Sequence, residues 1–177
     1  MRPFSTQLIQ WSGNVSSLLG REVLLKVTEH IIIDRPIQVV FDYLAQPESA
    51  MKWQSSVIGS EKLTDGPPSV NMKAKVVQTL AGQEVTFIFR TTSYIPNSVL
   101  AFTTESGPAH IDGLVECKEL KSSTRVTFTL VTHLSGFFRL VGPAVQNLMQ
   151  NEMQNDTRRL KSILESPCNE YTPTSTT

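Results

Sequence analysis

Between Leu24 and Leu130 the chain alternates apolar and polar residues with a period of two, the pattern of strands that bury one face. Val27, Glu29, Ile31 and Ile33 share one face of the first run, with Lys26, Thr28 and His30 on the other. The pattern then breaks. Pro36 falls in the first turn of a short helix, where a missing N–H costs nothing, and Val39, Val40, Tyr43 and Leu44 give that helix a buried side. Pro47 starts a second helical turn that ends near Lys52.

Alternation resumes after Trp53, in runs Val57–Leu63, Val70–Thr79, Glu84–Thr92, Val99–Glu105, Ala109–Leu120 and a final strand carrying Val126, Phe128 and Leu130. Turn-forming residues separate them: Asp65-Gly66-Pro67-Pro68, Ala81-Gly82, Pro96-Asn97, Gly107-Pro108 and Lys121-Ser122-Ser123. After Gly136 the period lengthens to that of a helix. Phe137–Val141 begin it, Gly142-Pro143 kink or restart it, and Ala144–Glu165 continue it for about 33 Å, long enough to cross a sheet. Seven strands, two short helices after the first strand and a long terminal helix make an α+β layout.

The ends of the chain read differently. Phe4, Leu8, Trp11, Val15 and Leu18 form an apolar stripe with 4-3 spacing over residues 1–22, weakened by about 1 kcal/mol at Gly13. An isolated helix of this length is marginal in water, so the stripe is expected to find a surface: its own domain, the mouth of a pocket, or a second copy. The spacing suits a partner helix, so a homodimer through this segment is the first expectation. Residues 24–166 form the domain, and the Thr/Ser/Pro-rich residues 167–177 read as a disordered tail.

Length and charge narrow the function. A chain of 177 residues suits one domain with a useful core, and 16 basic against 16 acidic residues leave no net field to attract nucleic acid. No run of 18 apolar residues is present for stable membrane insertion, and Gln10, Ser12, Gly13 and Asn14 interrupt any secretory pattern. Cys117 and Cys168 make no disulfide framework, which points to the reducing cytoplasm. There is no Gly-x-Ser-x-Gly, phosphate-binding loop or dinucleotide fingerprint, so no cofactor is expected. No metal is expected either: His30, His110 and His133 fall on different strands without partners at ligand spacing.

Four local patterns carry a resemblance. Ile33-Asp34-Arg35-Pro36 with Val39-Val40-Phe41, then Lys52-Trp53-Gln54, Ser123-Thr124-Arg125-Val126-Thr127, and Ser135-Gly136-Phe137-Phe138-Arg139-Leu140 follow in the same order as in one family. In these marks the chain resembles the polyketide cyclase/dehydrase and lipid-transport family of the START-like (SRPBCC) superfamily, from about Lys26 to Glu165. The resemblance implies a helix-grip fold: a seven-stranded antiparallel sheet wrapped around the long C-terminal helix, with a cavity between them. It carries over no catalytic residues, because this fold hosts carriers, receptors, cyclases and co-chaperones alike.

Strand parity then nominates the lining of that cavity. Met72, Val76, Val85, Phe87 and Phe89 come from the middle strands, and Leu100, Phe102, Ile111, Val115, Val126, Phe128 and Leu130 from the later ones. Helical phase adds Phe138, Val141, Val145, Leu148 and Met149. Such a lining favours a small hydrophobic molecule such as a lipid, polyketide or isoprenoid. Thr91, Thr104 and Thr132 could orient it by hydrogen bonds.

Three carboxylates share these faces: Glu29 on the first strand, and Glu152 and Asp156 one turn apart on the helix. Two readings stand. One of them acts as acid or base in an apolar pocket, as in a cyclase or dehydratase, or Arg159 pairs with Asp156 or Glu152 and keeps them quiet in a ligand carrier. A co-chaperone-like interaction module is the third reading.

Overall fold

The structure, a computed structural model, describes residues 23–80, 82–134 and 142–166. The N-terminal stripe with its expected dimer contact, the Phe137–Val141 start of the long helix and the C-terminal tail lie outside the described residues.

The first strand, β1 (Val23–Ile33), leads into α1 (Ile37–Ala45), a 3-10 turn (Pro47–Ser49) and the single-turn α2 (Ala50–Trp53). Six strands follow: β2 (Val57–Lys62), β3 (Lys73–Leu80), β4 (Gln83–Ile95), β5 (Val99–Ser106), β6 (His110–Leu120) and β7 (Ser123–Leu134). The long helix α3 (Gly142–Glu165) ends the described chain. Strands β2 to β7 form an antiparallel meander, whereas β1 pairs with β7, so the sheet order is β1-β7-β6-β5-β4-β3-β2. The crossover through α1 and α2 carries the chain from one sheet edge to the other.

Pro36 caps α1 with extended backbone angles (φ −57°, ψ 145°), which its ring already favours. Strand β3 begins at Lys73 rather than Val70, because Asn71 adopts φ 68° and the Met72 N–H closes a turn onto Ser69 O at 3.2 Å. Strand β4 runs on to Ile95 through an irregularity between Thr91 and Ser93 that keeps the ladder with β5.

Helix α3 lies along β1. Gln146 Nε2 donates to Lys26 O (3.2 Å), Gln150 Nε2 to Thr28 O (3.3 Å) and Lys161 Nζ to Ile32 O (2.5 Å). At its end the Arg35 guanidinium donates from Nε to Leu164 O at 2.6 Å, and the Asp34 N–H donates to Glu165 Oε1 at 2.6 Å. A cation on the last carbonyls also suits the negative end of the helix dipole. Thr124, fully buried, joins the same knot by donating to Arg35 O at 2.8 Å.

The closed core sits at this end. Ile33, Val40, Phe41, Trp53, Val126, Leu160 and Leu164 form one buried cluster, in which the Trp53 and Phe128 rings lie 5.5 Å apart. Leu160→Ala should therefore cost about 2–5 kcal/mol in urea unfolding, because a fully enclosed side chain leaves a cavity. Leu148→Ala, at a side chain 60% exposed, should change stability by less than about 0.5 kcal/mol.

Candidate functional site

The concave face of the sheet divides into a sealed half and an open half. Of the side chains nominated as lining, Leu100, Val115 and Phe128 belong to the closed core, and Met72 and Phe87 are buried as well. Val76, Val85, Phe89, Phe102, Ile111 and Leu130 share the inner face but remain partly exposed, as do Val145, Met149 and Glu152 on α3. Apolar side chains that face the helix without being covered are what a ligand surface requires. Phe138 and Val141 lie outside the described residues.

Leu148 departs from the expectation. At about 100° per residue, the inward stripe through Val145, Met149, Asp156, Leu160 and Ile163 is centred roughly 85° away from Leu148, whose side chain is 60% exposed. The helix therefore presents Leu148 outward.

Three phenylalanines shape the open half. The Phe87 and Phe89 rings stack at 5.5 Å, and Phe89 meets Phe102 edge-on at 5.3 Å. Phe102 lies over Gly113, its cross-strand partner, where a Cβ would collide with the ring. A side chain at position 113 would push the ring away from the sheet, so glycine there sets how deep the aromatic floor lies.

The carboxylates are held differently. Gln150 Nε2 donates to Glu29 Oε2 at 2.9 Å, which engages Glu29 with the helix. Asp156, 8% exposed, accepts the Ser55 N–H on Oδ1 at 2.9 Å and so ties α3 to the residues after α2. Arg159 is exposed and makes no ion pair with Asp156 or Glu152 among the described residues, so the pairing that one of the two readings required is not made there. Glu152 is half-buried, and no hydrogen bond or ion pair reaches its carboxyl among the described residues. Burial, and then the negative charge of Asp156, hold its pKa above the ordinary value of 4.5.

Two buried hydroxyls have no hydrogen-bond partner among the described residues: Tyr43 Oη and Thr132 Oγ1. Burial pushes the Tyr43 pKa up, with the Arg159 charge opposing. An unmet buried hydroxyl is costly, so each is a candidate to bond a polar group of a ligand. Thr132 stands out in the sequence by its inward parity. Tyr43 does not, because a tyrosine on a buried helix face reads there as packing. Thr104, by contrast, is engaged with the Ile111 backbone at 3.1–3.2 Å, and Thr91 is buried at 3% exposure.

The outer face carries a separate hollow of about 760 Å³ beside His30, Ile32, Val99, Glu116, Lys118 and Arg125. Glu116, Lys118 and Arg125 place charges in its walls beside apolar Ile32 and Val99, whereas the inner lining is apolar and aromatic. The histidines also differ from the expectation that they stand apart. His110 and His133 are direct partners across β6 and β7, and both reach Asp112. Their separation in sequence hid a register that places them side by side. His30, on β1, bonds Thr127 Oγ1 at 3.0 Å. Among the described residues, no helix is long and apolar enough to cross a membrane.

Comparison with known proteins agrees with this architecture. Residues 25–165 match the family model described as polyketide cyclase / dehydrase and lipid transport. No curated protein sequence matches the chain. Among solved structures, a protein of Thermus thermophilus superposes with a TM-score of 0.69 at 19% identity, covering 78% of this chain and 96% of that one. The Zhui aromatase/cyclase from a Streptomyces species gives 0.68 at 16% identity, covering 81% and 94%. A START superfamily protein from Mycobacterium smegmatis gives 0.66 at 17%, covering 79% and 97%. At these identities the likeness establishes the fold.

The Glu152 environment has a measurable consequence. A carboxyl whose folded-state pKa is raised adds stability below its unfolded value near 4.5, and that contribution is lost as pH rises through the folded-state pKa. Glu152→Gln should thus raise the melting temperature at pH 7 and leave it nearly unchanged at pH 4. Thermal melts of both proteins at the two pH values check this, and an equal difference at both would contradict the raised pKa.

Proposed function

The chain belongs to the polyketide cyclase/dehydrase and lipid transport family, and on that premise we propose that it binds a small hydrophobic molecule, of lipid, polyketide or isoprenoid type, between the sheet and α3. The observation that carries this reading is the open half of the concave face, where Val76, Val85, Phe89, Phe102 and Met149 face inward yet stay partly exposed. Each CH₂ that such a surface takes from water contributes about 0.8 kcal/mol, and aromatic walls suit flat or ring-bearing ligands. Thr132 Oγ1 on the inner face favours a ligand that also carries an oxygen function, since a hydrogen bond to it would relieve that hydroxyl. A cytoplasmic setting fits the buried free thiol of Cys117, whose pKa burial pushes up to about 12.

An environment-sensitive apolar dye should bind with micromolar affinity or better. Met149→Asp or Phe102→Asp should abolish binding while circular dichroism stays unchanged, because each places a charge on a partly exposed inner position. Wild-type protein that takes up no dye would overturn the reading. Native mass spectrometry of the purified chain would then identify the class of any co-purified ligand by its mass.

A second reading has its own support. Glu152 is a carboxyl beside an apolar surface, without an ion-pair partner among the described residues and with a raised pKa. Those are the properties of a general acid or base in a cyclase or dehydratase, where a preorganised pocket folds a poly-carbonyl chain and one residue moves a proton. With a ligand identified as above, Glu152→Gln should remove its conversion while leaving its affinity within about threefold, since the amide keeps the shape but takes no proton. Ligand recovered unchanged from both proteins would leave carriage as the function.

A further inference from the structure

The outer face of the β6–β7 pair holds a cluster that the cavity does not use. His110 and His133 are Cα partners in the antiparallel ladder, so both side chains leave the sheet on one side. Asp112, two residues further along β6, shares that side. His133 Nε2 lies 3.1 Å and His110 Nε2 3.5 Å from the same oxygen, Asp112 Oδ2. One ligand atom from each of the three residues lies within 4.8 Å of the others, and the imidazole rings meet edge to face at 4.6 Å. Around a tetrahedral zinc ion with bonds of about 2.0–2.1 Å, ligand atoms stand roughly 3.3 Å apart. The two separations from Oδ2 bracket that value.

A second contact aims the carboxylate. Thr103 Oγ1 donates to Asp112 Oδ1 at 2.7 Å, which fixes the plane of the carboxyl and leaves Oδ2 facing the rings. Hydrogen bonds of this kind commonly orient metal ligands from behind.

We propose that His110, Asp112 and His133 form a binding site for one divalent transition-metal ion, with zinc(II) the best match. Two imidazoles and one carboxylate suit a borderline ion. They suit neither calcium nor magnesium, which take six or more oxygen ligands, nor the soft ions that select thiolates. Three protein ligands leave a position open to water. His110 and Asp112 are 49% and 46% exposed at their side chains, so an ion can enter directly from solvent. Once bound, it ties the start of β6 to the end of β7. Ile111, partly exposed, and its cross-strand partner Thr132, buried, lie on the opposite, inner face beside the open half. The ion therefore braces the wall of the cavity from outside without entering it.

The test uses the full-length chain, free of any histidine tag and stripped with chelator, titrated with zinc chloride by calorimetry. One equivalent should bind with a dissociation constant of micromolar or below, and the melting temperature should rise with the ion. Cobalt(II) should give the intense visible absorption of a tetrahedral site. His110→Ala and His133→Ala should each weaken zinc binding at least tenfold and remove the cobalt spectrum. His30→Ala, whose ring bonds Thr127 instead, should leave both intact. If an alanine variant fails to fold, Asp112→Asn serves in its place, because the amide oxygen can still accept from Thr103 but carries no charge. Absence of stoichiometric uptake by the wild-type chain would overturn the site, as would undiminished binding in a folded His110→Ala/His133→Ala variant. In either case the two histidines and Asp112 would be held together by hydrogen bonds and ion pairs without a bound ion.

Discussion

Helix α3 is stitched to the free edge of β1 by side chains, and the rest of the molecule is arranged around that seam. An edge strand with unmet carbonyls is a template for pairing with another chain. Here Gln146, Gln150 and Lys161 answer the carbonyls of Lys26, Thr28 and Ile32. The helix thus protects the edge and in doing so is laid along it. Arg35 and Asp34 then lock its last turn, at Leu164 and Glu165, to the loop that follows the same strand. With axis and end both fixed, Leu160 and Leu164 press into the core beside Trp53 and Val126, and the sheet must curl to meet them.

The seam is uneven along its length, and that unevenness leaves the proposed site uncovered. Toward its C-terminus α3 is held by buried leucines, by Asp156 against the Ser55 N–H and by the Arg35 knot. Nearer its N-terminus, among the described residues, it is held by two glutamine amides, and the residues below are half-buried Val145 and Met149. Packing is complete at one end and incomplete at the other. Because interiors normally reach crystal-like density, an apolar face left partly uncovered marks a surface for something else.

Much of this was legible in the chain. Period-two alternation identifies inner and outer faces of every strand, because side-chain direction follows from position alone. The turn residues mark the hairpins, although Asn71, with its positive φ, moves the start of β3 by a turn. What alternation does not contain is the identity of the neighbour. The pairing of β1 with β7 joins residues about a hundred positions apart, and the His110–His133 contact is a consequence of register, which no local spacing encodes. Arg159 fails for a related reason. Its spacing from Asp156 permits an ion pair, but the Ser55 N–H reaches that carboxylate, and the guanidinium stays exposed. Leu148 shares its three- and four-residue spacings with the inward stripe, and only the true centre of that stripe shows that it faces out.

The contrast between the two helix carboxylates is the last element that packing alone does not explain. Asp156 is more deeply buried than Glu152, yet it is satisfied by a backbone N–H and serves as a joint between α3 and the residues after α2. Glu152 lies one turn closer to the open end, has no such partner among the described residues, and is penalised both by burial and by its neighbour's charge. A glutamine at that position would hold the same volume without either penalty. Proteins tolerate a destabilised group of this kind chiefly where it meets a ligand or a proton. On the proposed reading, the position of Glu152 at the boundary between sealed core and open surface is the point where binding could pass into chemistry, because there a desolvated carboxyl and an apolar ligand would share one wall.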